Sequence, residues 1–247
     1  MNIVIDFGNT RCKFYFFDNQ RLTDSVVVEN SDPSFSEKML NIVNDSKISD
    51  AIISSVAVVP DSLIALLSKR CNKVIILNSD TSVPISNSYA NPKLLGNDRL
   101  AAAVGATVLF PGRDVLVVDA GTAITYEFVS GQNRYLGGSI SPGLGLRFAS
   151  LHEHTARLPL VTPDADSKNI ATDTQSAINN GVVNGIVAEI MWNISFAKEH
   201  LNNPAIILTG GDTIFLAEKL KNTIFAQPNL VAIGLNRILQ YNVSEND

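Results

Sequence analysis

Hydrophobic positions open this chain with a hairpin. Ile3-Val4-Ile5 runs into Asp6-Phe7-Gly8-Asn9-Thr10, and Cys12-Lys13-Phe14-Tyr15-Phe16-Phe17 follows. β-Branched and aromatic residues on both sides of a glycine turn predict two antiparallel strands. A third strand is expected at residues 22–28. From residue 34 to 44 the period lengthens: Phe35, Met39 and Val43 recur every fourth position, which predicts an amphipathic helix. Residues 51–56 read as a buried parallel strand. Pro60-Asp61-Ser62 then opens a helix through Leu63, Leu66 and Leu67, with proline favourable at a helix start. Residues 74–77 form another short strand. The order β-β-β-α-β-α-β describes a mixed sheet covered by helices.

Residues 80–97, rich in Ser, Pro and Asn, read as a functional loop rather than a linker. An alanine-rich helix (Ala101, Ala102, Ala103, Ala106) runs from 97 or 98 to 109 and closes at Pro111-Gly112. Then the opening pattern returns. Val115-Leu116-Val117-Val118-Asp119-Ala120-Gly121-Thr122-Ala123 repeats the phrase of residues 2–10, and Ile124-Thr125-Tyr126-Glu127-Phe128-Val129 supplies the returning strand. Asp6 and Asp119 stand 113 positions apart, close to half of the 247 residues. Further strands are expected at 134–140 and 205–209, with helices at 144–152, 174–200 and 231–241 and an irregular stretch at 159–173. The duplication predicts an α/β protein of two lobes, residues 1–112 and 113–247, facing one another across a site.

The repeated phrase has specific chemistry. Gly8 and Gly121 are expected to take φ > 0 and bring backbone close to a ligand. Consecutive turn amides then form an anion nest suited to phosphate oxygens. A carboxylate at the strand end needs a cation between itself and phosphate, most naturally Mg²⁺. Thr10 and Thr122 add hydroxyl donors. For a single copy, a plain hairpin turn explains Asp-x-Gly-Asn equally well; two matched copies favour a phosphate cleft.

Composition narrows the classes. Hydrophobic residues make up 45% and charged residues 17%, enough for a core without disulfides or structural metal. The net charge of −5 and the lack of any Lys/Arg cluster argue against nucleic acid. Cys12 and Cys71 make no metal spacing and fit a reduced, cytoplasmic setting. No apolar run has the length of a membrane span. Leu151-His152-Glu153-His154 offers only two histidines, so a solvated helix end explains it better than a metal site. Trp192 and Phe196, four apart, read as core or dimer packing.

Six segments together resemble one family, type III pantothenate kinase, across essentially the whole chain. They are Asp6-Phe7-Gly8-Asn9-Thr10, Gly96-Asn97-Asp98-Arg99, Asp119-Ala120-Gly121-Thr122-Ala123, Gly137-Gly138-Ser139-Ile140-Ser141-Pro142-Gly143, Thr155-Ala156-Arg157-Leu158-Pro159, and Asp173-Thr174 ahead of Ala177 and Gly181. The resemblance implies two ribonuclease-H-like lobes of the acetate kinase, sugar kinase and actin superfold around a nucleotide cleft. It implies ATP-dependent phosphorylation of pantothenate, the first step of coenzyme A synthesis. It also implies a homodimer with substrate near the subunit interface, and a need for Mg²⁺ and a monovalent cation, K⁺ or NH₄⁺. By motif position, Asp6 would hold Mg²⁺, and Gly8, Asn9, Thr10 and Lys13 the ATP phosphates. Asp119 would ligate the monovalent cation, with Gly121 and Thr122 at ATP. Asp98 would be the base, with Tyr89, Gly96, Asn97, Asp98, Arg99 and Thr174 around pantothenate. Gly210-Gly211-Asp212 resembles the place where related kinases seat adenosine.

Bland readings stand beside these. Lys13 can be a solvated lysine on an edge strand. Asp98 and Arg99 can be ordinary capping and surface charge at a helix start. Other classes considered are a sugar or carboxylic-acid kinase of the same superfold, a non-catalytic regulatory homologue, and an actin-like filament former. The first would not need Arg99, the second need not keep Asp98 and the Asp6 turn, and the third needs insertions that are missing.

Overall fold

The repeated phrase builds the same sheet twice. Strand β1 (Asn2–Phe7) pairs antiparallel with β2 (Arg11–Asp18), and β2 with β3 (Arg21–Glu29). On its other side β1 runs parallel to β4 (Asp50–Ser55), which runs parallel to β5 (Lys73–Ile76). After a two-residue strand β6 (Ser86–Asn87), strand β7 (Val115–Ala120) pairs antiparallel with β8 (Ala123–Ser130), and β8 with β9 (Arg134–Pro142). Strand β7 also runs parallel to β10 (Ala205–Thr209), and β10 to β11 (Ile224–Ala226). The orders β3-β2-β1-β4-β5 and β9-β8-β7-β10-β11 match strand for strand and sense for sense. Each copy even carries a register shift between its second and third strands, at Phe16/Phe17 and at Phe128/Val129. This computed structural model describes residues 1–8, 11–44, 46–55, 58–164, 170–220 and 224–244.

Period-two alternation assigns the faces. In the first sheet Ile3, Ile5, Phe7, Cys12, Phe14, Phe16, Ala51 and Ile53 point to one side and pack on Met39, Val43, Leu63 and Leu67. Those four come from helices α1 (Phe35–Asn44) and α2 (Asp61–Arg70). Asn2, Val4 and Asp6 point to the other side. In the second sheet Leu116, Val118, Ala120, Ile124 and Tyr126 pack on α4 (Leu144–Glu153), α5 (Thr174–His200) and α6 (Thr213–Lys219). Asp119, alternating with Val118 and Ala120, points away from those helices, as Asp6 does in its own copy.

The chain divides into two units, Phe110–Asn229 and Met1–Leu109 joined by the segment from Leu230 onward. The expected boundary at 112/113 thus falls at 109/110. The last helix, α7 (Leu230–Ser244), expected in the second lobe, packs instead with the first. Steric fit explains why. Helix α3 (Asn97–Leu109) is built from small residues, and Gly105 and Gly234 let it meet α7 backbone to backbone. A Cβ on Gly234 would lie 1.8 Å from the Ala101 carbonyl oxygen, and one on Gly105 would lie 2.4 Å from that of Leu230. Leu235, Ile238 and Leu239 of α7 are fully buried, contributing roughly 2 kcal/mol each. Polar contacts then fix the orientation of α7. Asn2 Nδ2 donates to Asn236 Oδ1 (3.1 Å), Asn236 Nδ2 to the Asn19 carbonyl (2.8 Å), and Lys73 Nζ to the Asn242 carbonyl.

Candidate active site

Asp6 sits near the carboxyl end of β1, on the face shared with α3 and α7. The register sets Lys13 directly opposite Asp6, so the two side chains project together. Strand β2 lies inside the sheet between β1 and β3, which overturns the reading of Lys13 as an edge-strand lysine. Burial pushes the Asp6 carboxyl above its ordinary range; Lys13 opposes the rise and Asp98 adds to it. Burial also pushes the neighbouring Cys12 thiol and Tyr15 hydroxyl up to about 12, with Asp6 contributing to both. The Gly8 amide donates to the Arg11 carbonyl (3.0 Å), and Asn30 Nδ2 donates to the Gly8 carbonyl (2.9 Å). Asn9 and Thr10 lie outside the described residues.

Neither Gly8 nor Gly121 adopts the left-handed backbone expected of it. At Gly8 the demand is steric, because a Cβ would stand 3.0 Å from the Arg11 carbonyl oxygen. Gly121 meets only ordinary contacts, the nearest 3.6 Å away. A left-handed glycine stands nearby instead at the end of β10, Gly210 with φ 95°.

The start of α3 supplies the second acid. Asp98 is exposed, and its Oδ1 accepts the Arg99 amide (2.8 Å). A Cβ on Gly96 would lie 2.6 Å from that oxygen, so glycine leaves the carboxylate its place. Asn97 Nδ2 donates to the Leu77 carbonyl (3.1 Å), tying this corner to the end of β5. Arg99 is only 6% exposed, which corrects the surface-charge reading. Its guanidinium lies 5.8 Å from the ring centroid of Tyr89. The Tyr89 amide donates to Asn87 Oδ1 (2.8 Å) and so anchors the loop that carries the ring. A buried, planar cation beside an exposed carboxylate suits a ligand with its own carboxylate and a nearby alcohol.

In the second unit, glycines let three segments converge on Asp119. The Gly121 amide donates to the Ala123 carbonyl (3.0 Å), and Thr122 is exposed at the tip of the turn. From the end of β10, Gly210 approaches so closely that a Cβ would lie 2.5 Å from Asp119 Oδ1. The Asp212 amide donates to the Ala120 carbonyl, and the Gly143 amide to the Thr122 carbonyl, both at 3.0 Å. Burial raises the Asp212 carboxyl. The support from Gly143 and Gly210 was not foreseen from sequence, although glycines clustered at predicted strand tips are its signal. Asp173 caps α5 by accepting the Ser176 amide (2.9 Å), leaving Thr174 exposed at the helix start.

The first unit thus gathers Asp6, Lys13 and Asp98, with Arg99 beneath Tyr89. The second gathers Asp119, Gly121 and Thr122 against Gly143 and Gly210. His152 is exposed, its Nδ1 2.8 Å from the Leu158 carbonyl. Among the described residues no group of three or more His, Cys, Asp and Glu is placed to hold a metal, and no helix is long and apolar enough to cross a membrane. Trp192 is 63% exposed and stacks on Phe196 with centroids 5.4 Å apart, so the tryptophan is not core.

The family model for type III pantothenate kinase matches residues 2–195. A type III pantothenate kinase of Bacteroides fragilis is 43% identical over 242 residues, covering 98% of this chain and 98% of its own. Among solved structures, a conserved putative Baf family transcriptional activator from Campylobacter jejuni superposes with a TM-score of 0.62 at 22% identity, covering 98% and 99% of the two chains. A putative 2-dehydro-3-deoxygalactonokinase from Sinorhizobium meliloti shares the fold with a TM-score of 0.58 at 14% identity, covering 98% and 99%. The duplicated sheet is that of the sugar kinase and actin superfold. With its acidic turns, its Gly-Asn-Asp-Arg corner and these full-length likenesses, the chain belongs to the type III pantothenate kinase family.

Proposed function

We propose that this type III pantothenate kinase transfers the γ-phosphoryl group of ATP to the primary alcohol of pantothenate, giving 4'-phosphopantothenate for coenzyme A synthesis. The observation that carries the reading is the corner where Asp98 stands close enough to raise Asp6, beside a buried Arg99 under Tyr89. Phosphoryl transfer needs little covalent chemistry from protein; it needs positioning and charge neutralisation. Asp98, exposed, accepts the alcohol proton as it attacks phosphorus. Arg99 takes the pantothenate carboxylate beside Tyr89, Gly96 and Asn97, and Thr174 is assigned to pantothenate by its motif position alone.

Asp6 and Asp98 are mutually unfavourable acids, and a divalent cation removes that penalty, so the donor set fits Mg²⁺. When bound, Mg²⁺ neutralises phosphate charge. Lys13 and the Gly8–Thr10 turn hold the phosphates. Asp119, an oxygen donor that the Gly210 turn approaches closely, fits K⁺ or NH₄⁺, and Thr122 contacts ATP. We place the enzyme in the cytoplasm, where its substrates are made and used, and as a homodimer. The dimer reading draws on exposed apolar side chains of β9 and α5, among them Ile140 (62%), Trp192 and Met191 (45%).

The test follows ADP release with and without pantothenate and potassium in wild type and Asp98→Asn. The variant should lose kcat by roughly 10²-fold or more while keeping its melting temperature and its KM for ATP. Wild-type turnover in Asp98→Asn refutes the base assignment.

A further inference from the structure

We infer that Arg147 and Glu189 are positioning residues for the ATP-contacting turn, acting through the Ser141-Pro142-Gly143 corner that backs it. The inference rests on the proposed ATP contact of Thr122 and adds the means by which that contact is held.

Arg147 leaves the first turn of α4 and folds back over the end of β9. Its Nε donates to the Pro142 carbonyl (2.8 Å), and its Nη2 donates to Ser141 Oγ (2.6 Å) and to Glu189 Oε2. Glu189 reaches in from the middle of α5. Its Oε1 accepts the Tyr126 hydroxyl (2.8 Å) and its Oε2 the Ser141 hydroxyl (3.0 Å). Burial would raise the Glu189 carboxyl, but donors from Arg147, Ser141 and Tyr126 outweigh it and hold the group below its ordinary range. Five hydrogen bonds thus tie β8, β9, α4 and α5 together at one corner. One planar guanidinium fork grips both sides of the Ser141–Pro142 peptide, a geometry that lysine lacks.

That corner leads directly into Gly143. The Gly143 amide donates to the Thr122 carbonyl (3.0 Å). The approach is so close that a Cβ there would lie 2.1 Å from the Gly121 carbonyl oxygen and 2.5 Å from that of Thr122. Gly121 and Thr122 therefore lie directly against a segment whose own position is set by Arg147 and Glu189. Neither charged side chain is needed for the core, which Leu144, Phe148, Ile186 and Ile190 supply from the same helices. With side chains 21% and 28% exposed, the pair is only partly buried and adds little to stability, whereas its hydrogen bonds fix the corner's position.

The experiment measures KM for ATP and for pantothenate, with melting temperature, in Arg147→Gln, Ser141→Ala and Thr122→Ala. Arg147→Gln should raise the ATP KM on the order of tenfold, as misplaced binding groups do, with the pantothenate KM within about twofold of wild type. Ser141→Ala keeps the ion pair and should shift the ATP KM in the same direction by a smaller factor. If Arg147→Gln does not fold, Ser141→Ala decides. An unchanged ATP KM in the folded variants, or both KM values rising by one factor, overturns the inference. If Thr122→Ala raises the ATP KM while the other two do not, the positioning role alone fails. If Thr122→Ala also leaves it unchanged, the ATP contact itself is wrong and the inference falls with it.

Discussion

Asp6 is a carboxylate held where ionisation is costly. Its folded pKa is raised, chiefly by burial, so the folded protein binds that proton more tightly than the unfolded chain does. The stabilising effect of this proton is complete below the unfolded value of 3.8 and is lost as pH rises through the folded value. At neutral pH the ionised group therefore weakens the protein unless a cation joins it. Asp6→Asn should melt higher than wild type at pH 7 without Mg²⁺, the difference shrinking as pH falls through the folded value and closed by about 3.8, while Mg²⁺-dependent turnover is abolished. Thermal scans at both pH values, beside an ADP-release assay, check both halves; an Asp6→Asn protein that melts lower at pH 7 contradicts the burial argument. Other residues were only partly legible. Arg99 was identified, but its burial under Tyr89 depends on a loop whose path no periodicity encodes. The glycines of both turns are legible, yet at Gly8 the reason is space rather than backbone sign, and Gly121 shows neither demand.

Among the elements, the α3–α7 contact is a direct consequence of small residues. Gly234→Ala would drive a methyl to 1.8 Å from the Ala101 carbonyl, so the helices must separate. The expected loss is about 3 kcal/mol. Gly145→Ala on α4 is the control, because a Cβ there meets open space and the change should stay under ~1 kcal/mol. Denaturant melts of the two variants measure the contrast; equal effects would count against close packing. Most strands and helices were readable because long runs carry a clear period. Helix α6, with seven residues, and strand β11, with three, were not, since neither spans enough positions to show one. The partner of α7 was equally hidden: an amphipathic helix declares that it has an apolar face, not which sheet receives it.

At the scale of the whole molecule, the matching strand orders show that the duplication read from nine-residue phrases extends through both sheets. The proposed homodimer belongs to this scale. Trp192, stacked on Phe196 and largely exposed, lies beside Leu136, Gly137, Gly138 and Ser139 around a cavity of about 440 Å³. Trp192→Glu should convert a dimer into monomers, read by sedimentation or light scattering across a dilution series. A wild-type protein that is monomeric at every concentration removes the dimer from the proposal.

Because α7 completes the first unit, that unit's core is assembled from segments on either side of the second unit. During synthesis, Phe110–Asn229 leaves the ribosome as one uninterrupted piece and can close on itself. The sheet of the first unit must wait for α7, the face of β1 and β4 that this helix covers staying open until the segment from Leu230 onward has been made. The order of manufacture and the order of completion are thus reversed for these two units: the one begun first is finished after the one nested within it.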